Sequence, residues 1–298
     1  MPCLRLCRVA AAVIAFFPAW MLAGGERCGP QASAGARGGD YVLLRVSVVD
    51  RVNRYVTGLE KKHFKVFEDG AAQTVDYFAH LSVPVCMAVV HDAQGSMAAV
   101  IPAARTAMER FLEKGERGDL FSLITFDSKM VQVESLPSQG SVVRTGVDSG
   151  RGPLHDALRQ GIDAIRRCGS EKKALVLVGS LRDYEALEAA LGLPAGSSEP
   201  DFQVFAIVRT NRPPDESSAV ALSGGKTYSL TDSRESDYYL DLIHAELRNQ
   251  YILGYSPARK VRDGKRRRIS IKLDLPPGSP KLTVRAKPGY NAPAAARP

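Results

Sequence analysis

The 298-residue chain is poor in the residue types on which most enzyme motifs depend. It has only five histidines, five cysteines and one tryptophan. It lacks a G-x-S-x-G nucleophile turn, an H-E-x-x-H zinc motif and a glycine-rich dinucleotide turn. The histidines are scattered along the chain, so no spacing groups them for proton transfer. We therefore expect a non-enzymatic protein without a resident cofactor, and a hydrolase is the least supported alternative.

Cysteine spacing excludes the common cysteine-based frameworks. Cys3 and Cys7 lie in the N-terminal segment, which leaves Cys28, Cys86 and Cys168. Their number is odd and no pair has C-x-x-C spacing, so neither a zinc site nor a disulfide framework is indicated. Cys86 lies in an apolar run and is expected to be a core residue.

The N-terminus has the layout of a secretory signal. Residues 1–25 carry Arg5 and Arg8, then an apolar run over 9–23, then the small residues Ala23 and Gly25. A single membrane anchor is the alternative, but the run is short for a span of about 20 residues. We expect export to the periplasm or the extracellular space, with membrane association if this segment is retained. Residues 26–40 are rich in Ala and Gly and are predicted to be a linker.

The net charge of +8 falls to +6 if Arg5 and Arg8 are removed with the signal. A cluster of cations at 259–268 includes Arg262, Lys265 and Arg268. No aromatic residues are interleaved with these cations, so a nucleic-acid partner is not expected. We interpret the cluster instead as the solvated rim of a hairpin, where charge discourages edge-to-edge pairing of strands.

Apolar runs and amphipathic segments alternate through the middle of the chain. Short apolar runs of the kind that form buried strands occur at 85–90, 119–126, 173–178 and 202–208. Helical spacing of apolar residues occurs between them, at 100–112, 154–165 and 183–191, and again at 235–249. This alternation predicts α/β architecture with a mostly parallel sheet flanked by helices. Further strands are predicted at 41–49, 64–67, 73–78, 129–133, 251–255, 268–275 and 282–286. The strands at 64–67 and 73–78 are expected to be joined by a tight hairpin turn at Asp69-Gly70, because Asp-Gly supplies the positive φ angles that such a turn needs.

The segment VPVCMAVVHDAQGSM at 83–97 is expected to be a central strand that runs into a loop and a helix. In open α/β sheets, ligands bind beyond the carboxyl ends of such strands. The segment resembles the first strand and metal-ion-dependent adhesion motif of von Willebrand factor type A domains, D-x-S-x-S. Asp92 and Ser96 match that motif, and Gln94 stands in place of its first serine. The resemblance implies a von Willebrand A-like, Rossmann-like fold over 83–249.

The flanking segments resemble those of bacterial secreted proteins with von Willebrand-like domains. Before the central strand, GLEKKHFKVFEDGAAQ fits a strand and hairpin pattern of that group. After the last helix, YILGYSP, the DG at 263–264 and the closing GY at 289–290 fit its C-terminal pattern. Segments 41–82 and 250–290 are therefore expected to form one β-rich annex from both chain ends, because an isolated hairpin buries too little surface to be stable. Residues 291–298 are predicted to be a tail.

The resemblance also implies a ligand shell for a divalent cation, and this chain has lost most of it. Gly152 stands where the family has a threonine, and Ser180 stands where it has an aspartate. With Gln94 replacing a serine, three of the five expected ligands are missing. Mg²⁺ needs nearly octahedral oxygen ligation, which these residues supply poorly. We expect a degenerate site without metal, although Asp183 and the carbonyl oxygen of Gln94 keep a divalent cation such as Mg²⁺ open as an alternative.

Asp92 has a structural alternative to metal binding, because an aspartate in a loop commonly accepts backbone N–H groups of its own turn. His91 and His155 are expected to be separate, partly exposed histidines unless the fold brings them together.

Two non-enzymatic functions remain open. The first is an adhesion-type module that binds a protein partner through the loops that carry Arg151, Gly152, Ser180, Arg182 and Asp183. There Arg151 or Arg182 would receive a partner carboxylate as a charge-assisted pair. The second is a structural or assembly component of the cell envelope that acts through its β annex.

Overall fold

The computed structural model describes residues 41–80, 83–113, 116, 118–136, 142–146, 152–191, 201–209, 219–232 and 235–294. The chain divides into two compact units, Met1–Ala32 and Ser33–Pro298, and every described residue belongs to the second. The predicted signal at 1–25 and linker at 26–40 lie outside the described residues. Within the described ranges, none of the helices has the length and apolar character that a bilayer crossing requires.

The described residues form fifteen strands and five α-helices. The strands are β1 Val42–Val49, β2 Phe64–Glu68, β3 Ala71–Gln73, β4 Tyr77–Ala79, β5 Val85–Asp92, β6 Leu120–Phe126, β7 Met130–Leu136, β8 Val142–Gly146, β9 Lys172–Ser180, β10 Gln203–Arg209, β11 Thr227–Ser229, β12 Tyr251–Tyr255, β13 Arg266–Leu273, β14 Thr283–Arg285 and β15 Gly289–Asn291. The helices are α1 Ile101–Glu113, α2 Pro153–Arg167, α3 Leu181–Leu191, α4 Ala219–Leu222 and α5 Ser236–Arg248.

A seven-stranded sheet forms the centre of the α/β part, in the order β11-β10-β9-β5-β6-β7-β8. β5 pairs in parallel with both β9 and β6, and all eight of its residues are buried. β7 alone runs against the other strands of this sheet, since it pairs antiparallel with both β6 and β8. The prediction of a central parallel strand at 85–90 is therefore confirmed, as is the mostly parallel sheet.

The order of the sheet identifies where a ligand site would form. When the edge strand β8 is left out and the other strands are numbered along the chain from β5, the order from β7 to β11 is the 3-2-1-4-5-6 of Rossmann-like sheets. In such sheets the order reverses between strands 1 and 4, which here are β5 and β9, and the crevice beyond their carboxyl ends is the usual ligand site.

Helices cover both faces of this sheet. One core contains Met87, Val89 and residues of α1 and α5. The other core contains Ala88, Val90 and residues of α2, α3 and α4. Alternate residues of β5 therefore contribute to opposite cores, as the two-residue repeat of a strand requires.

The β-rich annex consists of two four-stranded sheets, β14-β1-β12-β4 and β15-β13-β2-β3. Each sheet combines strands from before β5 with strands from after α5, which confirms the prediction that both chain ends build it. Leu44, Val66 and Leu253 belong to the core of the annex. The last strand, β15, extends to Asn291, and Ala294 bridges Asp263, so pairing continues into the segment predicted as tail.

The turn at Asp69-Gly70 matches its prediction. Asp69 and Gly70 have φ angles of 48° and 87° and join β2 to β3 as a two-residue hairpin. The single strand predicted at 73–78 is wrong, because this segment divides into β3 and β4. β3 pairs with β2 in one sheet and β4 pairs with β12 in the other, so the chain crosses between the sheets at the buried Val75.

A buried carboxylate links the annex to the α/β part. Glu246 of α5 is 2% exposed and accepts hydrogen bonds from Ser47 Oγ of β1 at 3.1 Å and from Lys226 Nζ at 3.0 Å. The hydroxyl of Tyr55 is a further hydrogen-bond partner of this carboxylate. A buried carboxylate is tolerated because it is paired and hydrogen-bonded.

The interpretation of the cysteines is corrected by the structure, because Cys86 and Cys168 form a disulfide. Cys86 lies in β5, and Cys168 caps the C-terminus of α2, which returns along the sheet. The two Cα atoms are 6.5 Å apart although the residues are 82 positions apart in the sequence. Sequence spacing cannot show such a pair, because only the packing of α2 on the sheet brings the two cysteines together.

We expect the Cys86→Ala/Cys168→Ala variant to lose about 4 kcal/mol of unfolding free energy, because the crosslink closes a long loop in the unfolded chain. Guanidinium unfolding of the two proteins measures this loss. Dithiothreitol should lower the midpoint of the wild-type protein and leave that of the double variant unchanged. Equal midpoints for the oxidised wild type and the variant would contradict the prediction.

Candidate functional site

The candidate site lies at the carboxyl ends of β5 and β9, where the strand order reverses. β5 ends at Asp92 and β9 ends at Ser180, and α3 begins directly after Ser180. Asp183 lies in the first turn of α3. The fold therefore brings together Asp92, Ser180 and Asp183, which the sequence analysis selected from two separate loops.

Asp92 is anchored by its own loop. Its side chain is buried, with 8% of the residue exposed, and Oδ1 accepts the backbone N–H of Gln94 at 2.9 Å. This is the bond that an aspartate makes when it closes a turn. A 3-10 helix, Gly95–Val100, follows and leads into α1. The structure thus shows the structural role that the sequence analysis proposed for Asp92, in which its carboxylate accepts a backbone N–H of its own turn.

Ser180 and Asp183 cap α3 reciprocally. The Asp183 carboxylate accepts the backbone N–H and the hydroxyl of Ser180, both at 2.7 Å, through Oδ2. The backbone N–H of Asp183 points back to Ser180 Oγ at 3.4 Å. This arrangement is a capping box, with aspartate in the position usually taken by glutamate or glutamine. Ser180 therefore has a structural task at the position where the family resemblance implied a metal ligand.

Gly179 permits this arrangement, and the sequence analysis did not select it. A Cβ atom at residue 179 would stand 2.7 Å from Asp183 Oδ2, closer than real Cβ contacts allow. The absence of a side chain at Gly179 lets the Asp183 carboxylate lie against the end of β9. The sequence signal for this feature is G-S-x-x-D directly after an apolar run, which matches a glycine before a capping box.

The carboxyl groups of Asp92 and Asp183 contact each other, and this changes the acidity of Asp92. Burial and the neighbouring Asp183 raise the pKa of Asp92 to about 6, against the lowering effect of the Gln94 N–H. A hydrogen bond between the two carboxyl groups contributes to the rise. Two adjacent carboxyl groups resist carrying two charges at once, so Asp92 keeps its proton to a higher pH than an isolated aspartate would.

Three further predicted site residues lie on the segments that follow β5 and β9. Gln94 is exposed, and Ser96 lies in the 3-10 helix that follows it. Arg182 is exposed in the first turn of α3. Arg151 lies outside the described residues. Arg209, which the sequence analysis did not select, ends β10 beside Ser180 and is also exposed.

Gly152 occupies a backbone conformation that explains its identity. It caps the N-terminus of α2 with φ 94° and ψ 165° and accepts the Asp156 N–H through its carbonyl oxygen. This region of φ and ψ is essentially restricted to glycine. A threonine, which the family has at the matching position, would be strained with this backbone.

His91 and His155 are not brought together. His91 follows the alternation of β5 and lies on the sheet face covered by α1 and α5, whereas His155 lies on α2 on the opposite face. His91 is fully buried, and its ring nitrogens have no hydrogen-bond partner in the part of the chain that the structure describes, so the expectation of partial exposure is wrong for it. Burial lowers the pKa of His91 to about 4, which keeps its ring neutral near pH 7.

The described donors do not fit a divalent cation of the adhesion type. Gly152 supplies no side-chain oxygen, Ser180 donates its hydroxyl to Asp183, and Gln94 is exposed. Among the residues with described side chains, no three His, Cys, Asp or Glu groups converge. The Asp92 and Asp183 carboxyl groups contact each other directly, so their oxygens are already engaged.

Solved structures with a similar fold include a von Willebrand factor type A protein from Catenulispora acidiphila, at 10% identity and a TM-score of 0.33, covering 86% of this chain and 74% of that one. The VWA2 paralogue of ArnB from Sulfolobus acidocaldarius has 13% identity and a TM-score of 0.36, and the match covers 86% of this chain and 77% of that one. An aerotolerance-related membrane protein from Bacteroides fragilis has 10% identity and a TM-score of 0.30, and the match covers 54% of this chain and 98% of that one. No family model and no curated protein matches the chain.

We expect the Asp92→Asn variant to be more stable than the wild type at pH 8 and to lose this advantage at pH 4. Because the pKa of Asp92 is raised in the folded state, its contribution to stability is complete below its ordinary pKa of 3.8 and is lost as the pH rises through about 6. An asparagine still accepts the Gln94 N–H but carries no charge beside Asp183. Melting temperatures at pH 4, 6 and 8 with EDTA present measure the difference.

The difference in stability between the wild type and the Asp92→Asn variant reports on Asp92 alone, because His91 titrates in both proteins. The lowered pKa of His91 costs stability as the pH falls from about 6.5 through about 4, and this loss cancels in the difference. A pH-independent gap between variant and wild type would contradict the coupling of Asp92 to Asp183.

Proposed function

We propose that this chain is an exported, non-enzymatic module that binds a protein partner at the carboxyl edge of its parallel sheet, without a bound metal. The observation that carries the proposal is a carboxyl pair, Asp92 and Asp183, whose oxygens are engaged internally, with the exposed Arg182 and Arg209 following the adjacent strands β9 and β10. The carboxyl groups of Asp92 and Asp183 form hydrogen bonds within the edge, and the guanidinium groups of Arg182 and Arg209 carry exposed positive charge there.

The chemistry of these arginines indicates the kind of partner. A guanidinium group binds a carboxylate through two parallel hydrogen bonds, which are stronger than bonds between neutral groups. An acidic side chain of the partner would therefore bind Arg182 or Arg209 directly. Arg151, which the sequence places in the neighbouring loop, is a third candidate for this role.

Export is supported by two independent features. The basic and apolar segments of residues 1–25 are typical of a secretory signal. The disulfide between Cys86 and Cys168 is typical of proteins that fold in an oxidising compartment. We therefore assign the mature chain to the periplasm or the extracellular space, with a membrane anchor if residues 1–25 are retained.

A non-enzymatic role is supported by the chemistry of the candidate site. Its hydroxyl group, from Ser180, is hydrogen-bonded to the Asp183 carboxylate. The activated nucleophile of a hydrolase needs an adjacent base that is oriented by a third group. His91, the histidine next to Asp92 in sequence, is fully buried on the sheet face covered by α1 and α5.

We expect the Arg182→Ala/Arg209→Ala variant to capture at least tenfold less of its partner than the wild type, because each arginine contributes a charge-assisted bond. The immobilised chain is incubated with a detergent extract of the cell envelope, and the bound protein is quantified by mass spectrometry. Arg166→Ala/Arg167→Ala, at the exposed end of α2, is the matched control. Arg151→Ala is measured separately.

Equal capture by the Arg182→Ala/Arg209→Ala variant and the wild type would discard the edge as the binding surface. Loss of capture only when annex residues are substituted would instead favour an assembly component that acts through the β annex. Circular dichroism spectra of all the variants confirm that they are folded.

We further expect calorimetric titration of the purified chain with Mg²⁺, Mn²⁺ and Ca²⁺ to show no saturable binding with a Kd below about 1 mM. This limit corresponds to a binding free energy of roughly 4 kcal/mol. The oxygen donors at the edge are too few and are already hydrogen-bonded. The Asp92→Asn/Asp183→Asn variant is the control. Saturable binding to the wild type that this variant abolishes would overturn the metal-free assignment.

A further inference from the structure

The loop between β12 and β13, together with the first residues of β13, concentrates positive charge at one end of the annex. Residues 259–268 include seven arginines or lysines and a single acidic residue, Asp263. The cations with exposed side chains are Arg259, Lys260, Arg262, Lys265, Arg266 and Arg268. We name these six residues, together with Val261 between Lys260 and Arg262, the basic tip.

The basic tip is held in shape by a buried cation. The Arg267 residue is 2% exposed, and its guanidinium group donates to the carbonyl oxygen of Val261 at 3.1 Å and to Asp263 Oδ1 at 2.7 Å. Asp263 Oδ1 also accepts the backbone N–H of Lys265 at 3.0 Å. Gly264, with φ 66°, supplies the left-handed conformation of the turn. The exposed cations are therefore displayed by a preorganised loop, which lowers the entropic cost of binding.

An apolar side chain lies among these charges. Val261 is 50% exposed and stands directly between Lys260 and Arg262 in the sequence. A polyanion in water gains little from contact with a valine. A bilayer interface accepts both groups, because its acyl boundary takes apolar side chains and its headgroup phosphates pair with lysine and arginine.

A shallow cleft of about 750 Å³ adjoins the basic tip. Arg266 and Arg268 line it together with Leu222 and Asp69. The Asp69 carboxylate accepts the Arg268 backbone N–H at 2.9 Å and lies 4.0 Å from the Arg259 guanidinium, so it is already engaged. Two arginines that line one cleft match the size and charge of a phosphate-bearing headgroup.

We propose that the basic tip docks on the surface of an anionic phospholipid bilayer, with Val261 entering the interface and the surrounding cations contacting headgroup phosphates. Nucleic acid is disfavoured because single-strand binding needs exposed aromatic platforms. Phe67, on the outer face of the same annex sheet, is covered by the Lys272 ammonium 5.4 Å from its ring centre. This surface shares no residue with the proposed partner-binding edge.

The test is vesicle binding by the full chain. Wild type is mixed with vesicles of phosphatidylcholine alone or with 30% phosphatidylglycerol added, on the order of 0.1 M salt, and the bound fraction is measured by sedimentation. The readout is the ratio of the affinities for anionic and neutral vesicles. Residues 1–40 are identical in all variants, so any contribution they make to vesicle binding is the same in each. We expect Lys260→Gln/Lys265→Gln to lower this ratio about thirty-fold, from a surface attraction of about 1 kcal/mol for each lysine.

Arg166→Gln/Arg167→Gln removes two exposed cations at the end of α2 and should leave the ratio within about twofold of the wild type if the two arginines lie away from the bilayer. Val261→Ser keeps every charge, and we expect it to weaken binding to anionic vesicles while leaving binding to a single-stranded oligonucleotide unchanged. A ratio near one for the wild type would overturn the proposal. Equal loss in both double variants would also overturn it, as would unchanged vesicle binding by Val261→Ser.

Discussion

The burial of β5 on both faces is the constraint on which the rest of the structure depends. All eight residues of this strand are buried, and its backbone pairs with β6 on one side and β9 on the other. A strand with two covered faces needs helices on both, and the helices that connect the strands of the sheet supply them. The position of the candidate site, the two apolar cores and the burial of His91 all follow from this single placement.

At the carboxyl edge, helix capping and ligand binding compete for the same oxygens. Asp183 satisfies the N-terminal N–H groups of α3 together with Ser180, and Gly179 leaves the space in which it does so. The same carboxylate lies against Asp92 and raises its pKa. A site that resembles a depleted metal shell in the sequence is, in three dimensions, a hydrogen-bonded end of a helix.

The sequence was sufficient for features that depend on local pattern. Continuous apolar runs predicted β9 and β10, and Asp69-Gly70 predicted its hairpin, because strand burial and positive φ angles leave direct traces in residue type. It was insufficient where distant segments meet. The pairing of Cys86 with Cys168 and the contact of Asp183 with Asp92 depend on how α2 and α3 pack on the sheet. The division of 73–78 between two sheets was missed for the same reason.

The shared construction of the annex has a consequence for biosynthesis. Val42 pairs with Tyr255, and Phe64 pairs with Leu273, so the strands made first receive their partners only when nearly the whole chain has been synthesised. Until then their edges are unsatisfied, and such long-range pairing forms slowly. The annex of such a polypeptide cannot be completed before the strands that follow α5 have been made.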